Sequence, residues 1–130
     1  MAISKIKAAF QNDIKDVWNV VTSLNNYQWH SDLSRIEVIS DKQFIEYTKD
    51  GYATTFTITV TEPFERWEFD MENSNMKGHW TGVFLYQNGQ TEIEFTEDIT
   101  PKKLIIKPFV KSFLRKQQKL YVSDLRKALQ

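Results

Sequence analysis

The chain contains no cysteine, only four glycines and three prolines among its 130 residues, and no long apolar run. Without cysteine there can be no disulfide, no thiolate nucleophile and no cysteine-ligated zinc or iron–sulfur site, and nothing argues for an oxidising compartment. A cytoplasmic protein is the default expectation. The longest aliphatic run, Leu104-Ile105-Ile106, falls far short of the ~20 apolar residues that span a bilayer. Residues 1–10 lack the continuous apolar stretch of a signal peptide. No stable membrane insertion and no cleaved leader are therefore expected. No internal repeat, linker or low-complexity tract interrupts the chain, so residues 1–130 are expected to form a single domain.

Net charge is also lacking, since 17 Lys and Arg balance 17 Asp and Glu, but the balance conceals a division. Residues 101–130 hold nine basic residues against one acid, Asp124, while residues 1–100 hold eight against sixteen. The bland interpretation is a surface helix with solvated charges lying over an acidic sheet; a basic segment could also bind an anionic partner. Nucleic acid is not expected, because the aromatics of the basic segment fall on its apolar stripe and not between its charges.

What the chain does have is 41% hydrophobic residues and 18 aromatic side chains, ample for a core or a pocket. Ile6, Ala8 and Phe10 alternate with Lys5 and Lys7 as a first strand. Asn12 or Asp13 can cap a helix whose apolar face is Ile14, Val17, Trp18, Val21 and Leu24. Tyr27–His30 is expected to form a second short helical turn. From Arg35 onward, six β-rich runs are separated by turn signals at Asp41-Lys42, Asp50-Gly51, Glu62-Pro63, Asn73-Ser74 and Asn88-Gly89. Within them Phe56 and Ile58, Trp67 and Phe69, and Ile93, Phe95 and Ile99 share a buried face. A helical stripe follows Pro101, running through Val110, Phe113, Leu114, Leu120, Tyr121 and Leu125 with an interruption at Gln117; Pro108 predicts a start or kink near that point. These elements predict an α+β helix-grip fold: a seven-stranded curved antiparallel sheet around a long C-terminal helix, with two short helices after strand 1.

Residues 14–21 (Ile-Lys-Asp-Val-Trp-Asn-Val-Val), Tyr27-Gln28-Trp29, residues 80–84 (Trp-Thr-Gly-Val-Phe) and residues 91–97 (Thr-Glu-Ile-Glu-Phe-Thr-Glu), in that order, resemble the START-like SRPBCC superfamily. The branch they look most like is its polyketide cyclase/dehydrase and lipid-transport group. That resemblance implies a mainly apolar cavity between the sheet and the last helix, holding a hydrophobic or amphipathic small molecule. It also implies that Trp29, near the cavity mouth, could form part of a lid.

Candidate walls are Trp80, Phe84, Phe95, Phe109 and Phe113, and Gly78 and Gly82 either leave space beside the large aromatics or merely relieve strain where a long strand bends around a closed core. Period two from Ile93 and Phe95 to Ile99 turns Glu97 inward, where it could orient a ligand, exchange protons, or simply be satisfied by a neighbouring donor. Gln117 and Tyr121 are the polar candidates on the helix, and the facing of Glu46 is undecided. No metal is expected, because His79 should point to the outer face and His30 reads as an exposed neighbour of Trp29. No cofactor motif, phosphate loop or nucleophile elbow is present, and no cofactor is expected. Three functions follow in order: binding of a lipid, polyketide or aromatic metabolite; a cyclase or dehydrase using the same cavity; and protein interaction through the basic C-terminal helix. Glu97 is the one ionisable group that alternation places on the buried face, so binding stands ahead of catalysis.

Overall fold

A computed structural model describes residues 2–130 and shows the helix-grip architecture. The first strand, β1 (Ala2–Phe10), leads into α1 (Ile14–Thr22). The strands β2 (Leu33–Val38), β3 (Gln43–Thr48), β4 (Ala53–Glu62), β5 (Arg66–Glu72), β6 (Met76–Gln87) and β7 (Gln90–Pro101) follow as a meander. The meander closes by pairing β7 with β1, giving the antiparallel order β1-β7-β6-β5-β4-β3-β2. A 3-10 segment, Leu104–Phe109, then precedes the long helix α2 (Val110–Ala128).

Local chemistry accounts for the boundaries. Asp13 caps α1, its side chain accepting from the Lys15 N–H at 2.8 Å. Asn12 instead donates to the Leu129 carbonyl at 2.9 Å and ties the far end of α2 to this corner. Asn88 and Gly89 both take positive φ (56° and 73°), the twist that a two-residue hairpin between β6 and β7 requires. Pro108 closes the 3-10 segment, and regular helix begins two residues later. Tyr27–His30 corrects the expectation of a second short helix: it is one hydrogen-bonded turn, His30 N–H to Tyr27 carbonyl at 3.0 Å, too short to propagate before Ser31 is drawn to Asp124.

The inner sheet face carries a continuous aromatic layer. Phe44 stacks on Phe56 at 4.9 Å, Phe69 on Trp80 at 4.8 Å, and Trp80 meets Phe95 at 4.7 Å. At the other end of the sheet Trp18 of α1 packs edge-on against Phe84 at 5.0 Å. Irregularities in the β2–β3 and β4–β5 registers help bend the sheet around this layer. α2 lies chiefly along β1, burying Val110, Leu114, Gln118, Val122 and Leu125, while its Lys and Arg residues are exposed on the outer side.

Gly78 and Gly82 do not open space as the sequence suggested. A side chain on Gly82 would meet the ring of Trp80, and one on Gly78 would lie 2.5 Å from the Asp98 carbonyl oxygen and against Ile99. Both glycines let neighbours pack tightly. Because the obstacle at Gly78 includes backbone, Gly78→Ala should destabilise the fold by about 1–3 kcal/mol, read as a lower urea midpoint with an unchanged slope. An unchanged midpoint would contradict this packing.

Candidate functional site

Because α2 covers the β1 side of the concave face, the inner face of β3, β4 and β5 meets a cavity of about 230 Å³. Phe56, Phe69, Met71, Trp80, Phe95 and Leu114 form its apolar walls. Phe113, 48% exposed, lies at its edge on α2. Polar lining comes from each side: Glu46 and Thr48 from β3, Thr54 from β4, Glu97 from β7, and Gln117, Tyr121 and Asp124 from α2. His30 and Asp32 complete it from the segment before β2.

Five of the sequence candidates, Trp80, Phe95, Glu97, Gln117 and Tyr121, come together here, and Phe113 joins them at the edge. Three do not. Phe84 is 4% exposed and packs on Trp18 and Phe95 in the core beyond the cavity. Phe109, expected as a cavity wall, is 68% exposed, because it ends the 3-10 segment, whose period turns it to solvent. Trp29 stands behind the wall, stacked on His30 at 3.8 Å and edge-on to Tyr121 at 5.2 Å, with its indole N–H buried and unpaired among the described residues.

His30 corrects the expectation of an exposed neighbour. Pinned between Trp29 and Tyr121, it lines the cavity, and burial lowers its pKa to about 4 against the pull of Asp124, so it is neutral at pH 7. His79 does face outward, bridging Asp70 Oδ1 and Glu68 Oε1 at 2.7 Å each. Partial burial opposes its charge, but these two hydrogen bonds outweigh burial and raise its pKa.

The residue that sequence reasoning left undecided is the most perturbed carboxyl in the cavity. Phe44 points inward, and period two carries Glu46 and Thr48 with it. Burial, with Asp32 and Glu97 adding to it, pushes the Glu46 pKa up to about 8. Glu97 rises to about 7, through burial. Burial also raises Tyr121, with Glu46 and Glu97 contributing, and Asp32 is raised chiefly by burial. Glu46 and Glu97 sit on strands separated by three others, yet the curved sheet brings them near enough to act on each other and on Tyr121. Among the described residues neither carboxyl makes a hydrogen bond, and nor does the Tyr121 hydroxyl. Asp124, in contrast, accepts from both the N–H and the hydroxyl of Ser31 at 2.8 Å. Gln118, beside the predicted Gln117, is held in a buried pair with Ser4, its amide oxygen accepting from the hydroxyl at 2.7 Å and its amide nitrogen donating to the carbonyl at 2.9 Å.

Residues 9–130 match the family described as polyketide cyclase / dehydrase and lipid transport. A comparison with curated proteins finds no match. Among solved structures, a START superfamily protein from Mycobacterium smegmatis superposes with a TM-score of 0.88 at 9% identity, covering 98% of this chain and 96% of that one. A conserved protein from Geobacillus kaustophilus gives 0.84 at 9% identity, covering 98% and 95%. DynU16, a protein of the dynemicin biosynthetic locus, gives 0.77 at 11% identity, with 98% of this chain on 46% of that one. At these identities the likeness is one of fold.

Folding raises the Glu46 pKa from 4.5 to about 8, so between those values the native state holds a proton that the unfolded chain has released. Stability therefore falls as pH rises through that window. Glu46→Gln should flatten most of this slope and raise stability at pH 8 by on the order of 2–4 kcal/mol, with little change near pH 4. Urea unfolding at the two pH values checks it, and a parallel shift at both would refute the assignment.

Proposed function

The chain belongs to the polyketide cyclase/dehydrase and lipid-transport family, and from that premise we propose that it binds one small, apolar-bodied molecule in the cavity between the sheet and α2. The observation that carries this reading is the pairing of aromatic and aliphatic walls with a few convergent polar groups that have no partner of their own. In a finished core such groups would be hydrogen-bonded. At about 230 Å³ the space suits a compact ligand, such as an aromatic metabolite, better than a long acyl chain. The walls supply affinity by excluding water, and Glu46, Glu97 and Tyr121 supply orientation.

A second reading, a cyclase or dehydrase, is favoured by one observation: Glu97 and Glu46 have pKa values of about 7 and about 8, the range in which a carboxyl both gives and takes a proton near neutrality. The carrier reading stands first because binding needs only the cavity, whereas turnover needs a reacting atom placed against one of these groups.

Native mass spectrometry of freshly purified protein, with extraction of whatever leaves on unfolding, tests the carrier reading directly. A stoichiometric compound with an apolar body is expected, and at a hundredfold excess over its Kd it should stabilise the protein by about 2.7 kcal/mol. Gln117→Trp, which fills the cavity from a position without a hydrogen bond to lose, should abolish the binding while the far-ultraviolet spectrum is unchanged. Binding that survives this substitution would place the ligand elsewhere.

A further inference from the structure

We infer that the ligand of this cavity is an organic cation, a protonated amine on a compact apolar body. This deepens the proposed carrier reading and rests on it. Every residue of the lining that carries a formal charge at neutral pH by type is an acid: Asp32, Glu46, Glu97 and Asp124. The chain as a whole has as many Lys and Arg as Asp and Glu, yet none of those 17 bases lines the cavity. Lys49 acts on Asp32 from outside the lining.

Charge sign alone does not make a site, and two further features point to an occupant. Tyr121, which is not part of the acidic group, turns a half-buried hydroxyl, unpartnered among the described residues, toward the same space as the free carboxyls of Glu46 and Glu97. The surrounding walls include four aromatic side chains, Phe56, Phe69, Trp80 and Phe95, a residue type that attracts a cation through its ring quadrupole. An ammonium seated among these groups would donate to both carboxyls and let them ionise together, which they resist in its absence. Asp32, raised chiefly by burial, adds a third carboxyl to the same role, and the remaining titratable groups facing the space do not compete for it. His30 is neutral, Asp124 is held by Ser31, and the hydroxyl of Tyr52 is engaged with Ser74. An anionic ligand, such as a free fatty acid, would meet four acids and, among the described residues, no Lys or Arg of the lining.

The chief rival is a neutral carbonyl ligand accepting hydrogen bonds from protonated Glu46 and Glu97, and the two differ in sign. A cation binds the ionised carboxyls, so its affinity rises with pH through about 7 to 8 and binding releases protons. A carbonyl binds the protonated form, so its affinity falls over the same range.

Titration calorimetry of the intact protein with 2-phenylethylamine and tryptamine, beside 2-phenylethanol and 3-phenylpropionate, tests this at pH 6 and pH 8 in two buffers of different ionisation enthalpy. The amines should bind at least about tenfold more tightly than the alcohol, gain about tenfold from pH 6 to pH 8 and release protons, while the carboxylate should not bind. Glu46→Gln and Glu97→Gln, which keep the shape, should each reduce the preference for amine over alcohol, read as the ratio of the two Kd values, and flatten its rise from pH 6 to pH 8. An alcohol that matches the amines and is displaced by Gln117→Trp overturns the cation inference while sustaining the cavity as a ligand site. So does tighter binding at pH 6 than at pH 8. Absence of binding by all four probes overturns both readings.

Discussion

Everything at the site depends on where α2 is seated. The buried Gln118–Ser4 pair joins the middle of the helix to β1 through two hydrogen bonds, and Asn12 and Arg126 add contacts to backbone carbonyls at its end. Breaking one partner of a buried pair leaves the other unsatisfied, so the helix is held to this line by a penalty for leaving it. Held there, it closes one side of the concave face and leaves the inner surface of β3 to β5 facing open space. The cavity is what remains when a seven-stranded sheet curves around a helix fastened at one edge.

That space is costly as built. A protein interior normally pairs its carboxyls or does without them. Here Glu46 and Glu97 are half-buried, make no hydrogen bond among the described residues and repel one another, and both are displaced toward the protonated form. The fold tolerates this because the aromatic layer running from Phe44 to Phe95 and the apolar contacts around Leu125 and Val17 provide stability elsewhere. Local instability maintained by surplus packing is the arrangement expected where a residue serves a ligand and not the core.

Much of the scaffold was legible from the sequence because its signals are local. Strict alternation marked the buried faces of β4, β5 and β7; Asn88-Gly89 marked a hairpin; Asp13 marked a helix start; Pro108 marked the break before α2. The errors share a cause as well. Tyr27–His30 has helix-like spacing but is drawn into a turn that feeds Ser31 to Asp124, ninety-three positions away. Phe109, an aromatic residue just ahead of the stripe, is expected as a wall, but the 3-10 segment that it ends turns it to solvent. Phe84 does face inward, as alternation requires, but toward α1 and not toward the cavity. Gln117 and Gln118 are indistinguishable by type and both border the cavity, and only the rotation of α2 decides that Gln118 is the one bonded to β1.

The sequence by itself determined the order of elements, the hand of each strand's alternation and the inward facing of Glu97, since these follow from backbone periodicity and turn chemistry within a few residues. Tertiary structure alone decided that Glu46, Glu97 and Tyr121 meet, that His30 lines the cavity beside them, and that no Lys or Arg joins them. Those outcomes depend on sheet curvature and helix placement, which sum contacts across the whole chain. Electrostatic coupling acts through space, so the charge character of the cavity exists only once distant strands have been brought together.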